Sequence, residues 1–130
     1  MKHITGIGGI FFKANDPDKL GEWYQKHLGL DVEGWGGVAF QENNPLNKEP
    51  RRQASTVWSP FANDTDYFAP SNKPFMINFR VVNLDALLAE LRRDGVEVDD
   101  RTEKSEFGYF GWAMDPEGNR IELWEPPEAK

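Results

Sequence analysis

The strongest constraint on this chain of 130 residues is that it repeats itself. A strand pattern, an amphipathic helix and about three further strands occur twice in the same order. Phe12-Lys13 recurs as Phe79-Arg80, Asp16 as Asn83 and Leu20 as Leu87, each at a spacing of 67. Gly29 recurs as Gly95, and Val57-Trp58-Ser59-Pro60 as Leu123-Trp124-Glu125-Pro126, at a spacing of 66. Alone, each module is a sheet with one helix and an uncovered second face. Two of them side by side form a curved surface that encloses a cleft. The expected fold is therefore α+β, a single domain over 1–130 made of two βαβββ modules (about 1–62 and 74–126) joined by a long loop.

Local signals place the elements. Ile4 to Ala14 alternates with a period of two and reads as a strand. Asp16-Pro17-Asp18 supplies a cap, a proline for the first helical position and an acid for the positive helix end. Leu20, Trp23, Tyr24, His27 and Leu28 follow at helical spacing, and Gly29 ends the run. Leu30 to Phe40 holds one or two short strands broken by glycines, and Gln41 to Arg52 is a polar loop. Gln53 to Trp58 is expected as a strand ended by Ser59-Pro60. Phe61 to Pro74 is a long connection and a candidate binding loop or lid, with Tyr67 and Phe68 placed either to close over a ligand or to make a dimer contact. Met76 to Val82 alternates again. Asn83 caps a helix with Leu84, Leu87, Leu88 and Leu91 on one face, and Gly95 ends it. Val96 to Val98, Phe107 to Met114 and Arg120 to Trp124 complete the strands.

Alternation also divides the faces. Ile10, Phe12, Ala14, Ser55, Val57, Ile77, Phe79, Val81, Ile121 and Leu123 are assigned to the helix side. Gly9, Phe11, Lys13, Thr56, Trp58, Met76, Asn78, Arg80, Arg120, Glu122 and Trp124 then face the cleft, unless a bulge reverses the parity. There Glu122 serves as a general base, a ligand clamp or a structural carboxylate facing Lys13, Arg80 or Arg120. Arg80 grips a ligand carboxylate or phosphate, or pairs with Glu122. Asn78 orients a carbonyl or amide, and Phe11, Trp58, Met76 and Trp124 offer apolar walls to a flat ligand.

Composition narrows the partners. The formal charge of −7 lacks the basic footprint that nucleic acid or an anionic membrane requires, and suits cationic or neutral small ligands. The absence of cysteine removes thiolate metal sites and cysteine nucleophiles. No window approaches 18 consecutive apolar residues, and Met1 to Ile10 has no hydrophobic leader pattern, so a cytoplasmic location is expected. Asp64-Thr65-Asp66 lacks the rest of a calcium loop, and Gly6-Ile7-Gly8-Gly9 runs on as a strand rather than opening a phosphate-binding helix.

Asp115-Pro116-Glu117-Gly118-Asn119-Arg120-Ile121-Glu122-Leu123-Trp124 resembles the terminal signature of the vicinal oxygen chelate superfamily. Asn15-Asp16-Pro17, Trp23-Tyr24 and Leu28-Gly29-Leu30 are similar to its first helix. Leu84-Asp85-Ala86-Leu87-Leu88 with Gly95-Val96-Glu97-Val98 is similar to its second. The superfamily includes glyoxalase I, bleomycin-resistance proteins, extradiol dioxygenases and methylmalonyl-CoA epimerase, and the resemblance implies paired βαβββ modules and a homodimer. Its metal enzymes hold a divalent ion with His, Gln or Glu from four cleft strands. Carried over, those positions fall on Gly9, Thr56, Met76 and Glu122, a set with one strong ligand. The resemblance therefore implies a small-molecule-binding protein of the glyoxalase and bleomycin-resistance group without a metal or other cofactor. The alternative is a lyase- or dioxygenase-type enzyme using Glu122 as metal ligand or proton carrier.

Overall fold

The computed structural model describes residues 3–41 and 55–128. The expected polar loop after its first residue, Gln41, and the first two residues of the strand expected from Gln53 lie outside them. The elements are β1 (Ile4–Ala14), α1 (Pro17–Leu28), β2 (Val38–Gln41), β3 (Ser55–Ala62), β4 (Phe75–Val81), α2 (Leu84–Arg93), β5 (Glu103–Ser105), β6 (Gly108–Met114) and β7 (Arg120–Glu125). The strands form one mixed seven-stranded sheet in the order β2-β3-β1-β4-β7-β6-β5. β1 pairs in parallel with β3 and β4 with β7, and the two modules join through the antiparallel β1–β4 pair at the centre. The second module shows the full βαβββ order. Among the described residues the first shows β1, α1, β2 and β3.

The caps act as their residue types require. The Asp16 carboxylate accepts from the Lys19 N–H at 3.1 Å, and Gly29 adopts the left-handed conformation (φ 71°) that closes α1. The Asn83 side chain accepts from the Ala86 N–H at 3.1 Å, while the Leu84 N–H donates to Glu125 at 2.8 Å. Asn83→Ala is expected to cost about 1 kcal/mol, read as a shift of the denaturation midpoint with an unchanged slope.

Two readings of local structure are corrected. β3 runs through Ser59-Pro60 to Ala62. β2 pairs with β3 only between Ser55 and Trp58, so Pro60 sits where that side of the strand has no ladder partner and its missing N–H costs no bond. Val96 to Val98 contributes only an isolated bridge, Val98 to Ala113.

One core lies between α2 and the sheet, built from Val81, Leu84, Leu87, Leu88 and Leu123. Beneath α1, the rings of Tyr24 and Phe12 pack on Trp58 with centroids 4.8 and 5.5 Å away. A further core, Phe11, Phe68, Met76 and Trp112, lies on the other, concave face. Here the connection between β3 and β4 folds inward. Phe68 is fully buried, with Phe61 and Tyr67 packed around it. The segment expected as a lid is thus a plug that fills one half of the cleft with the protein's own rings and leaves the other half open.

Candidate functional site

The open half is a cavity of about 620 Å³. Its floor carries Gly8, Ser55, Asn78 and Glu122, its walls include Phe11, Val57, Phe110 and Trp124, and Glu33, Trp35, Gln41, Glu106 and Phe107 stand around it. Phe110 and Trp124 stack with their planes 6° apart and centroids 6.1 Å apart. The Trp124 indole N–H donates to the Phe107 carbonyl at 2.7 Å, which fixes that wall. Gly108 makes the approach possible. Its φ of 123° is one that residues with side chains rarely adopt, and a Cβ there would run into the Glu125 carbonyl.

Glu122 is the chemical centre. It is 2 % exposed and accepts three hydrogen bonds, from the Tyr67 hydroxyl (2.5 Å) and the Trp112 indole N–H (2.8 Å) on Oε2, and from Asn78 Nδ2 (2.7 Å) on Oε1. Burial raises its carboxyl above the ordinary range, opposed by these three hydrogen bonds and by the more distant charge of Arg120. Burial, and after it the charge of Glu122, holds the Tyr67 hydroxyl far above the ordinary phenol range. Asn78, also 2 % exposed, spends its N–H on Glu122, and its own Oδ1 has no hydrogen-bond partner. That oxygen lies against Gly8 and beside Trp124, where a Cβ on Gly8 would overlap it.

The donor set around Glu122 does not fit a hard divalent ion. Three of its four lone pairs are engaged by protein donors, and its floor neighbours are the glycine, hydroxyl and amide of Gly8, Ser55 and Asn78. Met76, at another position carried over from the metal enzymes, is a fully buried thioether beneath Phe68. Among the described residues, no three His, Cys, Asp or Glu side chains converge to hold a metal.

Of the residues assigned to the cleft, the structure brings Phe11, Asn78, Glu122 and Trp124 to the cavity and Met76 to the core beside it. Thr56 and Trp58 are corrected. Ser55 and Val57 line the cavity, so the alternate residues turn away, Trp58 under α1 and Thr56 with its hydroxyl on the Ile7 carbonyl (3.0 Å). The Trp-x-Pro match had aligned Trp58 with Trp124 at 66, whereas the spacing of 67 found at the module starts pairs Val57 with Trp124 and Ser55 with Glu122. That one-residue difference reverses the face. A register shift in β1 between Ile7 and Gly9 similarly turns Gly8 to the cavity.

Three cations assigned to the cleft do not line the cavity. Arg80 donates to the carbonyls of Ile7 (2.8 Å) and Ser55 (2.7 Å), its guanidinium filling space left by Gly6. Arg120 pairs with Asp99 at 3.2 Å and stacks over Trp112. Lys13 lines a separate open groove with Asp16, Trp23 and Tyr24. Trp35, Phe107 and Phe110 reach the cavity without having been singled out as ligand contacts. Their loops and strand ends carry no face-specific sequence signal.

A family model described as a glyoxalase-like domain matches residues 9–124. Solved structures share the fold at low identity. Methylmalonyl-CoA epimerase in complex with methylmalonyl-CoA and NH4+ is 18% identical, with 98% of this chain and 99% of that one covered and a TM-score of 0.69. The Mycobacterium tuberculosis methylmalonyl-CoA epimerase is 19% identical, with 98% and 91% covered and a TM-score of 0.64. A Streptomyces coelicolor methylmalonyl-CoA epimerase variant in complex with 2-nitronate-propionyl-CoA is 18% identical, with 95% and 98% covered and a TM-score of 0.68. No curated protein sequence matched.

Proposed function

Because the chain belongs to the family of glyoxalase-like domains, within the vicinal oxygen chelate superfamily, its concave face is where a ligand is to be sought, and we propose that it binds a small organic molecule there without a divalent metal. The observation that carries this reading is the engagement of Glu122 by Tyr67, Trp112 and Asn78 at the floor of an aromatic-walled cavity. Such a carboxylate supports a ligand site more readily than it holds an ion against water.

Two of these epimerase structures hold coenzyme A derivatives, methylmalonyl-CoA and 2-nitronate-propionyl-CoA, whose phosphates call for cations. The described residues lining this cavity include three carboxylates, Glu33, Glu106 and Glu122, and no Lys or Arg. An acyl-coenzyme A is therefore a poor match on charge.

Elemental analysis of protein purified without chelator tests the metal-free reading. The expected result is no stoichiometric divalent ion after exposure to Ni²⁺, Zn²⁺, Mn²⁺ and Fe²⁺, and a melting temperature unmoved by chelator, since a bound ion would stabilise by mass action. About one ion per chain, lost in Glu122→Ala, would overturn it. The upward shift of the buried Glu122 carboxyl favours one competing reading, a lyase-type enzyme in which Glu122 carries a proton. Turnover of a superfamily lyase substrate, abolished in Glu122→Gln, would establish that reading instead.

A further inference from the structure

We infer that the cavity selects a planar cation bearing an N–H donor, and that Asn78, oriented by Glu122, is the residue that reads the donor. This rests on the proposed ligand-binding reading and names its ligand class.

The floor has a defined hydrogen-bond polarity. Glu122 Oε2 is already shared by Tyr67 and Trp112, so Oε1 takes its hydrogen bond from Asn78. A carboxylate accepts only, which obliges Asn78 to turn its Nδ2 toward Glu122 and its Oδ1 away. That Oδ1 is a buried acceptor without a partner, a state that costs folding free energy until a donor reaches it. It lies at Gly8 and Trp124, two residues that line the cavity. A ligand N–H brought there regains the missing hydrogen bond, whereas a ligand carbonyl would face a second acceptor.

The walls and rim add shape and charge. Phe110 and Trp124 line the cavity with nearly parallel rings, an aromatic wall that favours a flat π-system and a cation. Glu33 and Glu106 are exposed at the mouth, and Glu122 lies at the floor. The Arg80 guanidinium is held by the Ile7 and Ser55 carbonyls, and Arg80 is not among the described residues that line the cavity. Among the described residues, anions are thus opposed from both ends, and a neutral ring loses the charge-assisted part of the hydrogen bond.

Three probes built on one tricyclic aromatic frame, differing in charge and in N–H donors, test this. They are proflavine as the cation, acridine as the neutral ring and anthracenecarboxylate as the anion, titrated in mildly alkaline buffer by anisotropy or calorimetry. The expected order is proflavine, then acridine, then anthracenecarboxylate, with at least about a tenfold step between the first two. Val57→Trp, which fills the cavity from β3, is expected to abolish binding and so locate it. Glu122→Gln can keep its bonds from Tyr67 and Trp112 while its new amide N–H turns Asn78 around, so the floor presents a donor and the preference for proflavine falls by most of its value. Acridine or anthracenecarboxylate binding as well as proflavine, with Val57→Trp still blocking it, overturns the charge inference and leaves the cavity a ligand site. An undiminished preference in folded Glu122→Gln overturns the role of Asn78. Failure of all three probes removes the inference together with the ligand-binding reading.

Discussion

Glu122→Leu is expected to lower folding stability by at least about 3 kcal/mol, whereas Glu122→Gln leaves it near or above wild type at neutral pH. Leucine strands three donors at once, the Tyr67 hydroxyl, the Trp112 indole N–H and Asn78 Nδ2. Glutamine keeps an oxygen for Tyr67 and Trp112 and offers an N–H to a reversed Asn78, and it carries no charge to desolvate. The pH dependence follows from the direction of the Glu122 shift. Its folded carboxyl lies above the ordinary value of 4.5, so the folded state binds the proton more tightly than the unfolded chain. That contribution is fully present below the unfolded value and is lost as pH rises through the folded one. The stability of Glu122→Gln relative to wild type should therefore grow with pH across that window. The comparison between the two proteins cancels the opposite contribution of Asp99, whose carboxyl is lowered chiefly by a backbone hydrogen bond from Arg101. Chemical denaturation of both proteins across that range decides it, and a gap that narrows with rising pH would refute the desolvated carboxylate.

Phe68→Ala is expected to cost about 3–5 kcal/mol, with an unchanged denaturant slope. Phe68 is fully buried in a cluster with Phe11, Met76 and Trp112, with Phe61 and Tyr67 packed around it, so its removal leaves a void in a well-packed cluster. The same truncation removes support from Tyr67, which stacks on Phe61 and donates to Glu122. Were the connection between β3 and β4 a mobile lid, as its length suggested, Phe68→Ala would change stability by less than about 1 kcal/mol. That outcome would reject the plug.

The elements were legible because their signals are local. Asp16 and Asn83 cap as their side chains dictate, Gly29 closes α1, and the leucines of α2 bury the face their spacing defines. Asn78, Glu122 and Trp124 were legible as cleft residues because β4 and β7 pair without a bulge from Ile77 to Arg80, so alternation holds along both. Thr56 and Trp58 were not, because the face of β3 depends on an offset between modules that 66 and 67 fit almost equally well. Arg80 was legible as lying on the cleft side but not in its task, since the carbonyls that hold it belong to Ile7 and Ser55, 73 and 25 residues away.

The amino-acid sequence by itself therefore determined the repeat, the two capped helices, the strands that face a common cleft and the absence of a strong metal-ligand set at the carried-over positions. The carried-over positions came from the family resemblance, and the others are properties of residue type and of periodicity along the chain. Only the tertiary structure decided that Phe61, Tyr67 and Phe68 fill half of that cleft, that Ser55 and Gly8 rather than Thr56 and Gly9 line its open half, and that Glu122 turns the Asn78 carbonyl outward. Those outcomes depend on strand register, on one shift in β1 and on hydrogen bonds between groups far apart in the chain, where a displacement of a single residue exchanges one face of the sheet for the other.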